Sequence, residues 1–264
     1  MKLQTERMIA EKDGGIGWIT FNNPARHNAI SLPMWQGLFD AVTGFAEDPE
    51  VRVIVLKGAG DKAFVSGADI SEFEEKRSNA ENIAAYNAVS HKASAALQAV
   101  DKPTIAMIRG YCVGGGVAVA LGCDLRIAAE GSSFAVPAAK LGLGYEFDGV
   151  RKLVDIVGPS FAKEIFYTAR QFTVQEAAAM GLVNRVLPAD QLESYVRDYG
   201  QRIANNAPLT VSSIKTLVAQ VMKDESQRDM ALCKAVVDRC FASADYVEGR
   251  TAFMEKRNAK FQGR

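Results

Sequence analysis

Two glycine-containing segments of this chain have the composition of loops that bind a developing negative charge. Residues 63–70 read Ala-Phe-Val-Ser-Gly-Ala-Asp-Ile and follow an apolar run at 51–57. Residues 110–116 read Gly-Tyr-Cys-Val-Gly-Gly-Gly and follow a second apolar run at 104–108. Turns of small residues let the backbone approach a ligand closely and leave N–H groups unpaired at the start of the next helix. The helix dipole behind those N–H groups adds to their attraction for negative charge.

Two such turns on neighbouring strands would direct two N–H groups at one oxygen atom. This arrangement suits a thioester, because removing or adding a group beside the carbonyl carbon places negative charge on its oxygen. One preorganised donor of this kind contributes about 3–4 kcal/mol. The alternative is that both loops are tight packing turns. A dinucleotide-binding loop is disfavoured, because its GxGxxG pattern would follow the first strand, whereas the glycines at 114–116 follow a mid-chain strand.

An α/β arrangement is predicted to position these loops. The apolar runs at 51–57 and 104–108 are typical of strands buried on both faces, and residues 15–21 alternate as a strand does. Short strands that alternate with helices indicate crossover connections. Helices are predicted after most of these strands and throughout the last third of the chain, at residues 31–45, 80–100, 114–121, 174–180, 191–205, 209–222, 225–241 and 245–256.

Composition and residue patterns argue against nucleic-acid-binding, membrane-spanning, secreted and multi-histidine metal proteins. Lys plus Arg and Asp plus Glu number 31 each, so no basic excess indicates a nucleic-acid partner. The longest apolar stretch is interrupted by Arg109 and Asp124, so no membrane span is predicted, and the N-terminus lacks a signal-peptide core. The four cysteines have no CxxC spacing, which predicts reduced thiols in a cytoplasmic protein. Two histidines are too few for a multi-histidine metal site, so no metal is predicted.

Five motifs occur together along the chain: NP at 23–24 with NAI at 28–30, AF at 63–64 with GADI at 67–70, GY at 110–111 with GGG at 114–116, CDLRIA at 123–128, and GLV at 181–183. In order and spacing they resemble the crotonase, or enoyl-CoA hydratase/isomerase, superfamily. The resemblance runs from about residue 8 to the C-terminus.

The resemblance implies an α/β fold, the ClpP-like crotonase spiral of ββα units, over residues 1–195. It implies a helical C-terminal trimerisation region over residues 196–264, and therefore a homotrimer or a dimer of trimers. The implied function is that of a lyase or isomerase of fatty acid metabolism that acts on an acyl-CoA thioester. Coenzyme A would then be part of the substrate, with no separate cofactor bound.

The resemblance also assigns site residues. The backbone N–H groups of Ala68 and Gly115 would form the oxyanion hole. Phe253 and Lys256 match a Phe-x-x-Lys pattern that contacts the adenine and phosphate region of CoA, although without the resemblance they would be interpreted as an ordinary amphipathic helix. The remaining residues assigned to CoA binding are a phosphate contact near the start of the chain and neighbours of Ala68 in its loop: Arg26, Ser66, Asp69 and Ile70.

The sequence departs from the hydratase pattern at two positions. Hydratases of this family use two glutamates to place and split water, and the matching positions here hold Ala118 and Ala138. Alanine cannot transfer a proton. Isomerase, decarboxylase or atypical hydratase chemistry is therefore expected instead of hydration by that pair.

Three protic side chains at residues 145–148 are candidates to replace the missing glutamates. Glu146 falls where family isomerases and dehalogenases carry a working aspartate, and an apolar pocket would make it a useful general base; the alternative is a solvated loop glutamate. Tyr145 is either a pocket wall or a hydroxyl donor. Asp148 is predicted to cap a helix at 150–157.

Two other functions are also compatible with the sequence. The missing glutamates also fit a non-catalytic acyl-CoA-binding homologue. An RNA-binding crotonase relative would need a lysine-rich helical face, and the predicted helix at 80–100 carries Lys92 as its one fixed cation.

Overall fold

The computed structural model describes residues 1–69 and 80–264. Its strands are β1 (Met8–Asp13), β2 (Ile16–Phe21), β3 (Val53–Gly58), β4 (Ala63–Val65), β5 (Thr104–Ile108), β6 (Tyr111–Val113), β7 (Leu125–Ala129), β8 (Ser133–Ala135), β9 (Phe172–Thr173) and β10 (Arg185–Leu187). Its α-helices are α1 (Leu32–Glu47), α2 (Ala80–Ala99), α3 (Gly115–Gly122), α4 (Phe147–Thr168), α5 (Val174–Ala179), α6 (Leu192–Ala204), α7 (Pro208–Val221), α8 (Met230–Phe241) and α9 (Ala244–Met254). Short 3-10 turns occur at Pro24–Arg26, Pro137–Leu141 and Glu225–Gln227.

The strands form two sheets that share a repeating pattern. One sheet has the order β1-β2-β3-β5-β7-β10, and the other has the order β4-β6-β8-β9. In each of the pairs β3/β4, β5/β6 and β7/β8, the first strand joins the larger sheet and the second joins the smaller one. A helix follows each pair, namely α2, α3 and α4. The predicted spiral of ββα units is therefore confirmed.

The central strand β3 shows why both faces of the larger sheet are apolar. Side chains alternate across a strand, so Ile54 and Leu56 join the main core, whereas Val53 and Val55 face the opposite side. On that opposite side they form a second cluster together with Leu192 and other residues of α6. Burial on both faces explains the continuous Val/Ile/Leu run.

Helix α2 is fixed to the main core along one side. Tyr86, Ala93 and Leu97 are buried, and their spacing of seven and four residues places them on one helical face. The hydroxyl of Tyr86 accepts a hydrogen bond of 3.0 Å from Nε1 of Trp35 on α1. The polar face of α2 is thereby held at a defined position.

Most predicted elements are confirmed, with corrections at helix starts. The predicted helix at 225–241 begins only at Met230, because Asp229 caps it by accepting a bond from the N–H of Leu232. The prediction that Asp148 is an N-cap is wrong. Helix α4 starts at Phe147, Glu146 occupies the N-cap position, and Asp148 lies in the first turn.

The predicted domain boundary at 195/196 falls inside α6, which packs on the larger sheet, and the boundary stays a prediction. Beyond α6, helices α7, α8 and α9 line a groove of about 610 Å³. Apolar side chains on these helices are exposed, including Phe241 at 61 %. In the part of the chain that the structure describes, no helix has the length and apolar character needed to cross a bilayer.

Candidate active site

The two glycine loops leave the same edge of the smaller sheet. Strands β4 and β6 are parallel neighbours, with Ala63 paired to Tyr111 and Val65 paired to Cys112. Because the carboxyl ends of the two strands lie side by side, the segments that follow them emerge together. The oxyanion hypothesis requires the two loops to be neighbours, and the pairing of β4 with β6 meets that requirement.

Hydrogen bonds fix the direction of the backbone at Ala68. The N–H of Ile30 donates to the carbonyl of Gly67 at 2.8 Å, and the carbonyl of Ile30 accepts from the N–H of Asp69 at 2.9 Å. This is a parallel bridge between Ile30 and Ala68. In such a bridge the flanking residues bond to the partner, so the N–H of Ala68 points away from Ile30.

Gly115 begins helix α3 beside this segment. The N–H of Gly114 donates to the carbonyl of Ala135 at 2.8 Å, and the first bond within the helix runs from Ala118 to Gly114 at 3.1 Å. The N–H of Gly115 therefore belongs to the first turn, whose donors precede the helical ladder. A Cβ atom built on Gly115 would lie 3.7 Å from the backbone nitrogen of Ala68. The two predicted donors are thus close neighbours, and both residues are half-buried.

A close approach of two backbones locks α3 against β4. A Cβ atom at Gly116 would lie 2.2 Å from the carbonyl oxygen of Val65, closer than any real contact. Gly114 has a φ of 52°, which turns the chain from β6 into the helix. The backbone geometry therefore favours glycine at residues 114 and 116, whether or not a ligand binds there.

Asn28 is a buried brace beneath the first loop. Its Nδ2 donates to the carbonyls of Ala59 at 3.0 Å and Ala63 at 2.7 Å, while its Oδ1 accepts from the N–H of Asn23 at 2.9 Å. The residue is fully buried and has a φ of 56°, a conformation that asparagine tolerates better than most residues. Asn28 stood in a recognised motif, but its bracing role was not predicted.

The residues assigned to CoA binding fall into two groups. Nη1 of Arg26 contacts Oδ1 of buried Asp69 at 3.1 Å, and the N–H of Ser66 donates to the carbonyl of His27 at 3.1 Å. These three assigned residues therefore lie beside Ala68. Ile70 lies outside the described residues. Their roles in CoA binding stay predictions.

Phe253 and Lys256 lie at the end of α9, in a different part of the chain's surface. Phe253 is 83 % exposed and lines the groove among α7, α8 and α9. Lys256 follows the helix with a φ of 55°. The contacts that the structure describes do not join either residue to the loops of Ala68 and Gly115 within one chain.

Ala118 and Ala138, which the resemblance matches to the hydratase glutamates, both lie near the two glycine loops. Ala118 lies in the first turn of α3 and is half-buried. Ala138 is buried and lies just beyond β8, whose Ala135 binds the N–H of Gly114. Both residues lie on elements next to the glycine loops, and neither methyl group can transfer a proton.

Glu146 matches the alternative interpretation, a solvated loop glutamate, since 58 % of its side chain is exposed and its described partners are polar. Its Oε2 lies 2.9 Å from Nε2 of His91, and its Oε1 accepts from Nδ2 of Asn87 at 3.3 Å. Its backbone carbonyl accepts from the N–H of Gly149, which fixes the start of α4.

Tyr145 is anchored beside Glu146. Its ring packs edge-on against Phe166, with centroids 4.8 Å apart. Although 38 % of the residue is exposed, desolvation raises the pKa of the Tyr145 hydroxyl. The hydroxyl therefore stays protonated and able to donate a hydrogen bond over a wide pH range.

His91 and Asn87 were not predicted as site residues. They lie four positions apart on α2, so one helical face presents both side chains. The signal available in the sequence was this spacing together with the scarcity of histidine. It could not show that α2 and the Glu146 loop meet, because the two segments are 59 residues apart.

Cys112 lies beside the second glycine loop but is not accessible to solvent. It is fully buried, and burial raises the pKa of its thiol above its usual range. Burial likewise raises the pKa of Cys123 to about 12. A protonated, inaccessible thiol is a poor nucleophile, which agrees with the interpretation of Cys112 as a small core residue.

Comparisons with known proteins agree with this geometry. Residues 11–264 match the family model described as enoyl-CoA hydratase/isomerase. A crotonyl-CoA hydratase from Syntrophomonas wolfei is 35 % identical over 256 residues, covering 97 % of this chain and 98 % of that protein. A short-chain-enoyl-CoA hydratase from Clostridium acetobutylicum is 32 % identical, covering 97 % of each. A crystal structure of an enoyl-CoA hydratase/carnithine racemase from Magnetospirillum magneticum superimposes with a TM-score of 0.92 at 37 % identity, covering 99 % of this chain and 97 % of that one.

Proposed function

We propose, because this chain belongs to the enoyl-CoA hydratase/isomerase family, that it holds a thioester enolate between the backbone N–H groups of Ala68 and Gly115. The observation that carries this proposal is the parallel pairing of β4 with β6, which brings the two loops out side by side. A Cβ atom built on Gly115 would lie 3.7 Å from the backbone nitrogen of Ala68, and this proximity supports the proposal further. Two donors aimed at one oxygen would stabilise the charge that develops there.

Among the reactions of the family, double-bond isomerisation is favoured by the single carboxylate of Glu146 and by the alanines at 118 and 138. In the proposed reaction Glu146 takes a proton from C2 of a 3-enoyl-CoA, and the electron pair spreads into the thioester oxygen. Glu146 then returns the same proton to C4, which gives the 2-enoyl ester with no atom gained or lost. A single carboxylate suffices for this transfer, whereas the paired-glutamate hydration would need proton-transferring groups where Ala118 and Ala138 stand.

The test is a panel of 2-enoyl-, 3-enoyl- and malonyl-type CoA esters with the wild-type chain and Glu146→Gln. We expect isomerisation of the 3-enoyl ester and a loss of about 100-fold or more in kcat for the variant, the contribution typical of a general base. Glu130→Gln is the matched control, because Glu130 is an exposed glutamate on a turn after β7. Hydration of crotonyl-CoA as the faster reaction, as the names of the two bacterial relatives would suggest for those proteins, would contradict the isomerase assignment.

A non-catalytic acyl-CoA-binding protein is the second candidate. The alanines at 118 and 138 favour it, since they remove both hydratase proton carriers. Calorimetric binding of an acyl-CoA together with no turnover of any ester in the panel would select this candidate over the first.

A further inference from the structure

We infer that His91, supported by Asn87, is a positioning residue for the Glu146 carboxylate; this inference rests on the proposed function of Glu146. Both oxygens of the carboxylate have a partner on α2. Nε2 of His91 lies 2.9 Å from Oε2, and Nδ2 of Asn87 donates to Oε1 at 3.3 Å. Two donors on two oxygens define the plane of a carboxylate as well as its location.

The segment that carries Glu146 needs such support. Residues 139–148 are all exposed, so the loop between the Pro137–Leu141 turn and α4 has little core packing of its own. The backbone of Glu146 is fixed by its place at the N-cap of α4, but its side chain makes no capping bond. An exposed glutamate without partners samples several rotamers, and ordering it costs entropy.

Helix α2 can supply that support because its other face is buried. Tyr86 precedes Asn87 by one residue, and Ala93 follows His91 by two, and both are anchored in the main core. The four-residue spacing of Asn87 and His91 places their side chains one turn apart on the face toward the loop. Helix α2, which is anchored in the core, thus holds the Glu146 side chain of the exposed loop.

His91 donates from Nε2, since a carboxylate oxygen at hydrogen-bond distance can only accept. Each oxygen of Glu146 keeps a further lone pair for the substrate proton. The dyad therefore orients the carboxylate without blocking proton transfer. Misplacement of a reacting group by about 1 Å can lower a rate about 100-fold.

The test compares His91→Leu with His91→Gln in steady-state kinetics on the ester that the wild-type chain turns over. Leucine removes the donor, and we expect kcat to fall about tenfold or more with KM within about twofold. Glutamine keeps an N–H donor at similar reach and should retain kcat within about threefold of the wild type. Gln98→Leu, at an exposed position on the same helix, is the matched control and should leave kcat unchanged.

A double-mutant cycle separates positioning from a general structural effect. In the Glu146→Gln background His91→Leu should change kcat less than twofold, since the group to be positioned is gone. An equal loss in both backgrounds, or an equal loss with Leu and Gln at residue 91, overturns the inference. If Glu146→Gln has no measurable turnover, the Leu and Gln variants alone decide. Full activity of Glu146→Gln refutes the proposed acid/base role itself, whereas loss with Glu146→Gln and none with His91→Leu refutes only the inference about His91.

Discussion

The two glycine loops, which carry the proposed oxyanion donors, and the Glu146 loop contribute to the same proposed site but are built in different ways. The donors at Ala68 and Gly115 are backbone groups, fixed by strand pairing, by the bridge to Ile30 and by a buried asparagine. Glu146 is a side chain on an exposed loop, and its described partners are the exposed His91 and the polar Asn87. Few substitutions remove a backbone N–H donor, because every residue except proline carries one. A single substitution is enough to change a side-chain acid.

In the proposed site this contrast would let one fold carry several reactions. Charge on the thioester oxygen is common to every reaction of an enolate, and its proposed donors belong to the structure that also holds the sheets together. The acid or base determines which bond is made, and Glu146, proposed for that role, lies on an exposed loop of the kind that tolerates change. The proposed isomerase, with alanines at 118 and 138 and a glutamate at 146, would be one outcome of that separation.

The largest effect is expected for Gly115→Pro, which removes one predicted donor and keeps the helix. Proline is favoured at the first position of a helix, because the missing N–H has no partner within the helix there. We expect kcat/KM to fall about 100-fold to 1000-fold, as for other oxyanion donors, with the melting temperature little changed. Steady-state kinetics and thermal unfolding check both halves of this prediction. Full activity would show that the N–H of Gly115 does not contact the reacting oxygen.

Gly116→Ala should damage the same region through packing. The new methyl group would meet the carbonyl of Val65 at 2.2 Å, so either α3 or β4 must shift. We expect the free energy of unfolding to fall by about 3 kcal/mol, at the high end for overpacking, because the obstacle is backbone and not a flexible side chain. Urea unfolding measures it, and a loss below about 1 kcal/mol would contradict the close approach of α3 to β4.

The sequence predicts the framework better than it predicts the contacts. Strand β5 has the predicted bounds, Thr104–Ile108, because a five-residue apolar run between Pro103 and Arg109 has one interpretation in an α/β chain. Strands β4 and β6 lie within the two predicted glycine loops, and no strand is predicted at β8. Three residues are too few to show alternation, and their pairing depends on partners distant in sequence.

The candidate site shows the same division. The position of each glycine loop after a buried strand could be predicted, whereas the pairing of β4 with β6 that brings the loops together could not. The link from Glu146 to His91 could not, because neither side chain is buried and no periodic pattern marks a contact between exposed polar groups. Long-range polar contacts are determined by how the chain packs, which the order of residue types does not encode locally.

Asn28→Ala tests whether the oxyanion region depends on its buried brace. The buried carbonyl of Ala63, the buried N–H of Asn23 and the part-buried carbonyl of Ala59 would lose their partner, and alanine is less tolerant of a φ of 56°. We expect a loss of about 2 kcal/mol in the free energy of unfolding, given the cost of leaving buried polar groups unpaired. Asn206→Ala, at an exposed position, is the control and should stay within about 0.5 kcal/mol. If the two variants were equally stable, the hydrogen bonds of Asn28 would not contribute to the difference between the oxyanion region and the Glu146 loop.

The smallest effect is expected in the Glu146 loop, at Gly144→Ala. A Cβ atom there has no neighbour within 4 Å, and the backbone is not in the left-handed region. Alanine should therefore stabilise the chain by about 0.5 kcal/mol, because it restricts the unfolded state without straining the folded one. Gly142→Ala is the matched variant, since it also meets open space but has a φ of 63° and should lose about 1 kcal/mol. If Gly144→Ala were as destabilising as Gly116→Ala, the exposed loop would be as tightly constrained as the oxyanion region, and the difference between the two regions would not hold.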